Sequence, residues 1–179
     1  VTNESVIREY KSVLASFKIT DTSMMGKDWV TYERGTIAHN WQISHPQNWK
    51  VKKELLEDQS EVVIYRDNYE IVITDSTITQ VSICQFDDSA STTGYAGNLR
   101  GKEFVEFVTA EGLTLRRYFK ANQGDKSSLY FCGKTTEQDQ FFSPTIFGAI
   151  AYQIPAKFDR DILVMMDEII KTIKRLSNE

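Results

Sequence analysis

The chain has 179 residues, is 41% hydrophobic and carries a formal net charge of −4, with charges of both signs mixed along its length. A chain of this size buries a core without a metal or a disulfide, and its mixed, slightly acidic charge argues against nucleic-acid binding. Its longest apolar runs fall far short of the roughly 20 residues that cross a bilayer.

The N-terminal segment predicts an amphipathic helix. Residues 4–18 place apolar side chains on one helical face, with Thr2 or Asn3 available as the cap. The members of this face are Val6, Ile7, Tyr10, Val13, Leu14 and Phe17. We therefore divide the chain into an N-terminal helix (1–20), a polar linker (21–28) and a main domain (29–179).

From Trp29 to Ile154 the hydrophobic period shortens to two, and β-branched and aromatic residues are enriched, which is typical of strands. The predicted strands cover residues 29–33, 38–45, 49–55, 61–66, 69–74, 79–86, 102–109, 113–119, 128–132 and 145–154. Turn residues at Asp67-Asn68 and at 110–112 predict hairpins between neighbouring strands. Antiparallel pairing follows from these hairpins.

A long amphipathic pattern near the end of the chain, Lys157–Leu176, predicts a second helix. Its apolar stripe consists of Phe158, Ile162, Met165, Met166, Ile169, Ile170 and Ile173. Its acidic residues Asp159, Asp161, Asp167 and Glu168 sit early, and Lys171, Lys174 and Arg175 sit in the last turns, which matches the helix dipole. The strand at 69–74 alternates apolar and polar residues, as in a sheet buried mainly on one face. We expect an α+β sandwich in which one twisted antiparallel sheet of six to nine strands carries the C-terminal helix on one face. The N-terminal helix would lie on the other face or at an edge.

One segment shows no periodic pattern of hydrophobic residues. Residues 87–101 are rich in Ser, Thr and Gly and predict a long exposed loop that includes Tyr95. Long loops in compact domains are uncommon and are often either functional or disordered. Both alternatives stay open for this segment.

Cys84 and Cys132 are the only cysteines, and each lies within a strand-like run. In an oxidising compartment a bridge between them would stabilise the fold by roughly 4 kcal/mol on a chain-entropy estimate. Alternatively, both are buried free thiols that pack as small apolar residues.

The order of these features resembles the PsbP-like superfamily, the α/β/α sandwich of the photosystem II extrinsic protein and of many bacterial exported lipoproteins. In that family a short aromatic phrase ending in Pro-x-x-Trp opens the sheet, and a helical phrase closes the domain. The matching residues here are Trp41, Ile43, His45, Pro46 and Trp49, with 169–174 as the closing phrase. Residues 13–20 resemble a second closing phrase, so the first helix is either the end of a preceding domain or an integral layer.

The resemblance implies an exported protein, with a lipid anchor upstream as one route to the membrane. The chain starts at Val1 without a leader pattern, as expected for a processed product.

Catalytic and metal sites are not predicted. His39 and His45 would share one side of a strand, but no third ligand stands at a suitable spacing. The sequence lacks a nucleophile elbow, a zinc-protease motif, a phosphate-binding loop and a dinucleotide fingerprint. We therefore predict no catalytic residue and no cofactor.

Recognition is predicted instead for aromatic and basic side chains. Large aromatic residues dominate contact energy at interfaces, although tryptophans of a small domain also belong in its core. A basic cluster of Arg116, Arg117, Lys120 and Lys126 is either a solvated strand face or a site for an acidic partner. The candidate binding residues are Trp29, Tyr32, Trp41, Trp49, Tyr95, Arg116 and Arg117.

The function predicted from these features is a non-catalytic, exported binding module that docks a protein or a cell-envelope component. The alternative is a small enzyme or small-molecule carrier with a pocket between helix and sheet. A deep cavity with convergent polar groups would favour the alternative, and a filled interior beside an aromatic surface would favour docking.

Overall fold

A computed structural model describes residues 28–34, 41–55, 59–76, 85–86, 92–93, 103–123, 125–134 and 149–176. The predicted N-terminal helix and all but the last residue of the predicted linker lie outside these ranges, as do His39, Cys84 and Tyr95. Within the described ranges the protein is mostly β, with one helix near the C-terminus.

Twelve strands are present among the described residues. They are β1 (Trp29–Arg34), β2 (Trp41–Pro46), β3 (Lys50–Leu55), β4 (Gln59–Arg66), β5 (Tyr69–Ser76), β6 (Gln85–Phe86), β7 (Thr92–Thr93), β8 (Phe104–Val108), β9 (Thr114–Gln123), β10 (Lys126–Lys134), β11 (Ala149–Pro155) and β12 (Lys174–Arg175). Seven of them form an antiparallel main sheet in the order β3-β4-β5-β11-β10-β9-β8. The predicted antiparallel sheet is confirmed.

Two features of the strand arrangement differ from the prediction. The hairpin of β1 and β2 does not join the main sheet and pairs instead with the short β12, so the described strands form two sheets. The predicted loop at 87–101 contains β7, which pairs with β6, and β6 in turn runs parallel to β10. Two-residue strands fall below the length at which a period can be recognised in a sequence.

Both predicted hairpin turns are present. Asp67 adopts a φ of 53° between β4 and β5, whose last pair is Arg66 with Tyr69. Gly112 adopts a φ of 86° between β8 and β9, a backbone conformation that residues other than glycine rarely adopt. These two positions fix the register of the flanking strands.

The helix runs from Arg160 to Lys171, which is shorter than the predicted span. The side chain of Asp159 caps its start by accepting a hydrogen bond of 2.9 Å from the backbone N–H of Asp161. At its other end, the Thr172 hydroxyl accepts a hydrogen bond of 2.8 Å from the backbone N–H of Ser44 in β2. The chain leaves the helix at this contact and continues into β12.

The apolar stripe of the helix is buried in the core. Helix residues Met166, Ile169 and Ile170 are fully buried in one cluster with strand residues such as Ile64 and Ile71. Phe158, Ile162 and Met165 are only partly buried at the edge of this cluster. Burial of each core side chain contributes about 1.5–3 kcal/mol as an upper figure, so this contact holds the helix in place.

Candidate functional site

The described part of the protein contains an open pocket of about 430 Å³ where the β1–β2 hairpin, the end of β4 and the helix meet. Its lining residues are Asp28, Trp29, Pro46, Gln47, Asn48, Trp49, Arg66 and Met165. We call this the Trp29 pocket. Four of its eight residues, 46–49, are consecutive in the sequence.

Backbone hydrogen bonds fix the rim of the Trp29 pocket. Trp29 pairs with Pro46 at the end of the β1–β2 ladder, and the Gln47 N–H continues this ladder by donating to the Asp28 carbonyl at 2.8 Å. The Trp49 N–H donates to the Pro46 carbonyl at 2.9 Å and closes the turn that leads into β3. This part of the rim is therefore built from two strand ends and one tight turn.

Two predicted binding residues, Trp29 and Trp49, lie in this pocket but differ in exposure. Trp49 is 2% exposed and belongs to the core cluster, while Trp29 is half-buried and packs against that cluster from outside. Trp49 therefore supports the pocket wall, and Trp29 offers accessible aromatic surface. Large rigid aromatics of this kind supply contact area at little entropic cost.

The other two predicted aromatics lie elsewhere. Trp41 is 0% exposed in the centre of the core. Tyr32 is half-buried and its ring centroid lies 6.1 Å from that of Trp41 in a tilted arrangement. Trp41 thus has the packing role that a tryptophan of a small domain usually takes.

The polar part of the Trp29 pocket is exposed to solvent. Asp28, Gln47 and Asn48 are exposed, and the Arg66 side chain is 40% exposed. Nε of Arg66 lies 3.7 Å from a carboxylate oxygen of Asp67, a solvent-screened pair of the kind that contributes at most about 1 kcal/mol. These side chains remain available to a ligand.

A second set of polar side chains lies under the helix. It was not predicted from the sequence. Nη2 of Arg117 donates to Oδ2 of Asp167 at 2.8 Å, and the Tyr152 hydroxyl donates to Oδ1 of Asp167 at 3.1 Å. Arg117 is 3% exposed and Asp167 is 7% exposed. We call these three residues the Asp167 cluster. It joins β9, β11 and the helix.

Burial raises the pKa of the Asp167 carboxyl above its usual value, and the Arg117 guanidinium and the Tyr152 hydroxyl oppose this shift. Of the two alternatives for Arg117, the solvated strand face is wrong, because the side chain is buried and paired with Asp167. The Arg117 guanidinium and the Asp167 carboxylate bond to each other inside the protein. Arg117 therefore does not offer a binding site to an acidic partner.

Arg116 points to the opposite face of β9 and is also not simply solvated. Its guanidinium carbon lies 3.8 Å from the ring centroid of Phe86 and 4.2 Å from that of Phe104. Its Nε donates to a carboxylate oxygen of Glu106 at 2.8 Å. Burial raises the pKa of the neighbouring Tyr118 hydroxyl, and contact with Arg116 opposes the shift. Arg116 therefore braces β6 and β8 across β9.

The remaining predicted site residues are placed as follows. Cys132 is buried beside Phe86 and Tyr118 and is disulfide-bonded, while its predicted partner Cys84 lies outside the described residues. His45 is buried, and its Nδ1 lies 2.9 Å from the Pro46 carbonyl oxygen. Within the described ranges, no group of three or more His, Cys, Asp or Glu residues could hold a metal ion.

The position of Asp167 in the sequence contains a signal for the Asp167 cluster. Asp167 follows Leu163 by four residues and precedes Ile170 by three, so it belongs to the buried stripe rather than to the exposed acidic face. A charge inside an apolar stripe requires a buried partner. The polar pocket residues 47 and 48 gave no comparable signal, because a turn places them.

A scan of protein-family models, a search of curated proteins and a search of solved structures each returned no match. The helix of the described ranges is not long and apolar enough to span a membrane. The geometry of the site is therefore the basis for a functional proposal.

Proposed function

We propose that this protein is a non-catalytic binding module that docks a protein or a cell-envelope component through the Trp29 pocket. The observation that carries the proposal is the pairing of accessible Trp29 with four polar side chains around an open pocket of about 430 Å³. Beside it, the contact between helix and sheet is filled by apolar side chains that are almost fully buried, apart from the mutually bonded residues of the Asp167 cluster. A filled interior next to an aromatic surface suits docking.

The alternative, a small enzyme or small-molecule carrier, would also use a pocket between helix and sheet, and Met165 and Arg66 do place this pocket there. Small-molecule sites enclose most of their ligand, and catalytic groups gain strength from exclusion of water. The polar side chains of the Trp29 pocket are exposed instead. Buried Arg117, Tyr152 and Asp167 bond to one another in the Asp167 cluster. Docking is therefore the better supported function.

An extracytoplasmic location is part of this proposal. A disulfide at Cys132 supports an oxidising compartment, and the resemblance to exported PsbP-like proteins points the same way. The complete coding sequence upstream of Val1 tests the location. An export signal or a lipid-attachment cysteine would support it, whereas an open reading frame that encodes a cytoplasmic enzyme domain would contradict it.

The proposal also includes an α/β/α arrangement in which residues 4–18 cover the second face of the main sheet. Val63 lies between core residues Val62 and Ile64 and so faces away from the helix, yet it is 3% exposed. This burial supports a covering layer. Deletion of residues 1–20 tests the arrangement: a large drop in melting temperature is expected, and an unchanged one would favour the end of a preceding domain.

Site-specific photocross-linking tests the docking function. A photoreactive amino acid at Asn48, on the exposed rim of the pocket, should form an adduct in cells that make the protein. The same adduct should disappear in a Trp29→Ala background. A photoreactive residue at exposed Lys53 on β3 is the matched control and should not form this adduct. Adducts of equal yield at both positions, or insensitivity to Trp29→Ala, would overturn the proposal.

A further inference from the structure

The lining of the Trp29 pocket is divided evenly between apolar and polar residues. Trp29, Pro46, Trp49 and Met165 form the apolar half, and Asp28, Gln47, Asn48 and Arg66 form the polar half. Pockets that accept an apolar side chain or an apolar small molecule carry few polar groups. Four of the eight lining residues are polar and three of these four are exposed, so the ligand combines an apolar face with hydrogen-bonding groups.

The charged groups of the pocket are few and of both signs. Asp28 contributes one carboxylate and Arg66 one guanidinium, and Arg66 already lies 3.7 Å from the Asp67 carboxylate. An anion-binding site would present clustered cationic groups, and a cation-binding site would present an excess of carboxylates or an aromatic cage free of cations. The pocket has neither property. Its charge pattern therefore matches a neutral ligand.

The polar groups suit a ligand rich in hydroxyls. The side-chain amides of Gln47 and Asn48 each offer donors and an acceptor, Asp28 offers acceptors and Arg66 offers donors. A hydroxyl both donates and accepts, so it can bond to any of these four side chains. The electron-rich face of an indole attracts weakly positive C–H groups, which a sugar ring presents on its faces. Half-buried Trp29 is the indole placed to make this contact.

From this division of the lining we infer that the Trp29 pocket binds a neutral saccharide, one or two sugar units of a larger glycan. The inference rests on the proposed docking function and names the chemistry of the component that is docked. Trp29 stacks against a sugar ring, while Gln47, Asn48 and Asp28 hold its hydroxyls. A glycan of the cell envelope presents such units in many copies, which compensates for weak binding of each unit.

Two-dimensional NMR titration of the whole chain tests the inference. The probes are the neutral disaccharides N,N′-diacetylchitobiose, cellobiose and maltose, each added to millimolar concentration. At least one should shift the indole N–H of Trp29 and the side-chain amides of Gln47 and Asn48 in a saturable way. Trp29→Ala should weaken binding about tenfold or more. Phe104→Ala removes an aromatic that is 42% exposed outside the pocket, and it should leave binding unchanged.

A parallel titration with N-acetyl-tryptophanamide separates this inference from the docking proposal. If the amide shifts the pocket resonances and no disaccharide does, the saccharide inference is overturned while docking of a protein segment stands. If neither kind of probe shifts these resonances, both are overturned. Disaccharide shifts that persist in Trp29→Ala or that map to Phe104 would also overturn the inference.

Discussion

Arg117 of β9 and Asp167 of the helix form an ion pair of 2.8 Å beneath the helix, where both side chains are almost fully buried. Removal of one partner leaves an uncompensated buried charge, which costs about 3–5 kcal/mol. We expect Asp167→Ala to lower the free energy of unfolding by that amount, as measured by urea denaturation. The same variant also removes the acceptor of the Tyr152 hydroxyl.

The matched control is the double variant Arg117→Met with Asp167→Leu, which replaces the pair by apolar side chains of similar size. Such replacements are often neutral or stabilising, so the double variant should recover most of the lost stability. If Asp167→Ala unfolds within about 0.5 kcal/mol of the unmodified protein, the range of ordinary surface substitutions, the pair has no structural role.

The raised pKa of the Asp167 carboxyl should also make the stability of the protein depend on pH. Burial raises its pKa in the folded protein above that in the unfolded chain. The folded state therefore holds this proton more tightly, and the resulting stability is present below the unfolded pKa and is lost as pH rises through the folded pKa. Asp167→Asn cannot titrate. The unfolding free energy of the unmodified protein should therefore fall relative to that of Asp167→Asn as pH is raised from about 4 towards neutrality. A constant difference across this window would contradict the assignment.

At position 116, arginine and lysine should differ in their contribution to stability. Only a planar guanidinium can lie against both Phe86, at 3.8 Å, and Phe104, at 4.2 Å. Arg116→Lys keeps the charge and should still lower the free energy of unfolding by about 1–2 kcal/mol. Glu106→Gln removes only the partly exposed ion pair and should cost less than about 1 kcal/mol. A Lys variant as stable as the unmodified protein would show that stacking is not the source of stability.

The pairing of the cysteines is a prediction from register. Gln85 pairs with Gly133, and in the sequence Cys84 directly precedes Gln85 while Cys132 directly precedes Gly133. We therefore expect Cys84 and Cys132 to form one disulfide with each other. Mass spectrometry of unreduced peptides should recover them linked, and reduction should lower the unfolding free energy by about 4 kcal/mol. Two thiols that react with an alkylating reagent in the native protein would exclude the bridge.

Much of the fold could be predicted because its main signals are periodic. Alternation in β5 and the stripe on the helix each follow from one buried face. The separation of the β1–β2 hairpin from the main sheet could not be predicted, because residues of both sheets alternate alike. It depends on a tertiary contact, the bond between Thr172 and Ser44 that brings the end of the helix to β2.

The candidate site was predicted in part. The aromatic residues at the start of the domain were singled out for their size, and two of them, Trp29 and Trp49, line the pocket. Arg66 and Met165 lie far from them in the sequence, and only the folded chain brings them together. Exposure separates the two tryptophans, since Trp49 supports the core while Trp29 faces the pocket. Residue type alone cannot make that distinction.

Co-sedimentation with isolated envelope material tests the central claim, docking through the Trp29 pocket, most directly. Purified protein would be mixed with the envelope fraction of cells that make it, and the fraction of protein in the pellet would be measured. The unmodified protein and Phe104→Ala should sediment equally, while Trp29→Ala and Trp29→Ala with Asn48→Ala should remain in the supernatant. Equal sedimentation of all four proteins, or of none, would contradict docking through this pocket.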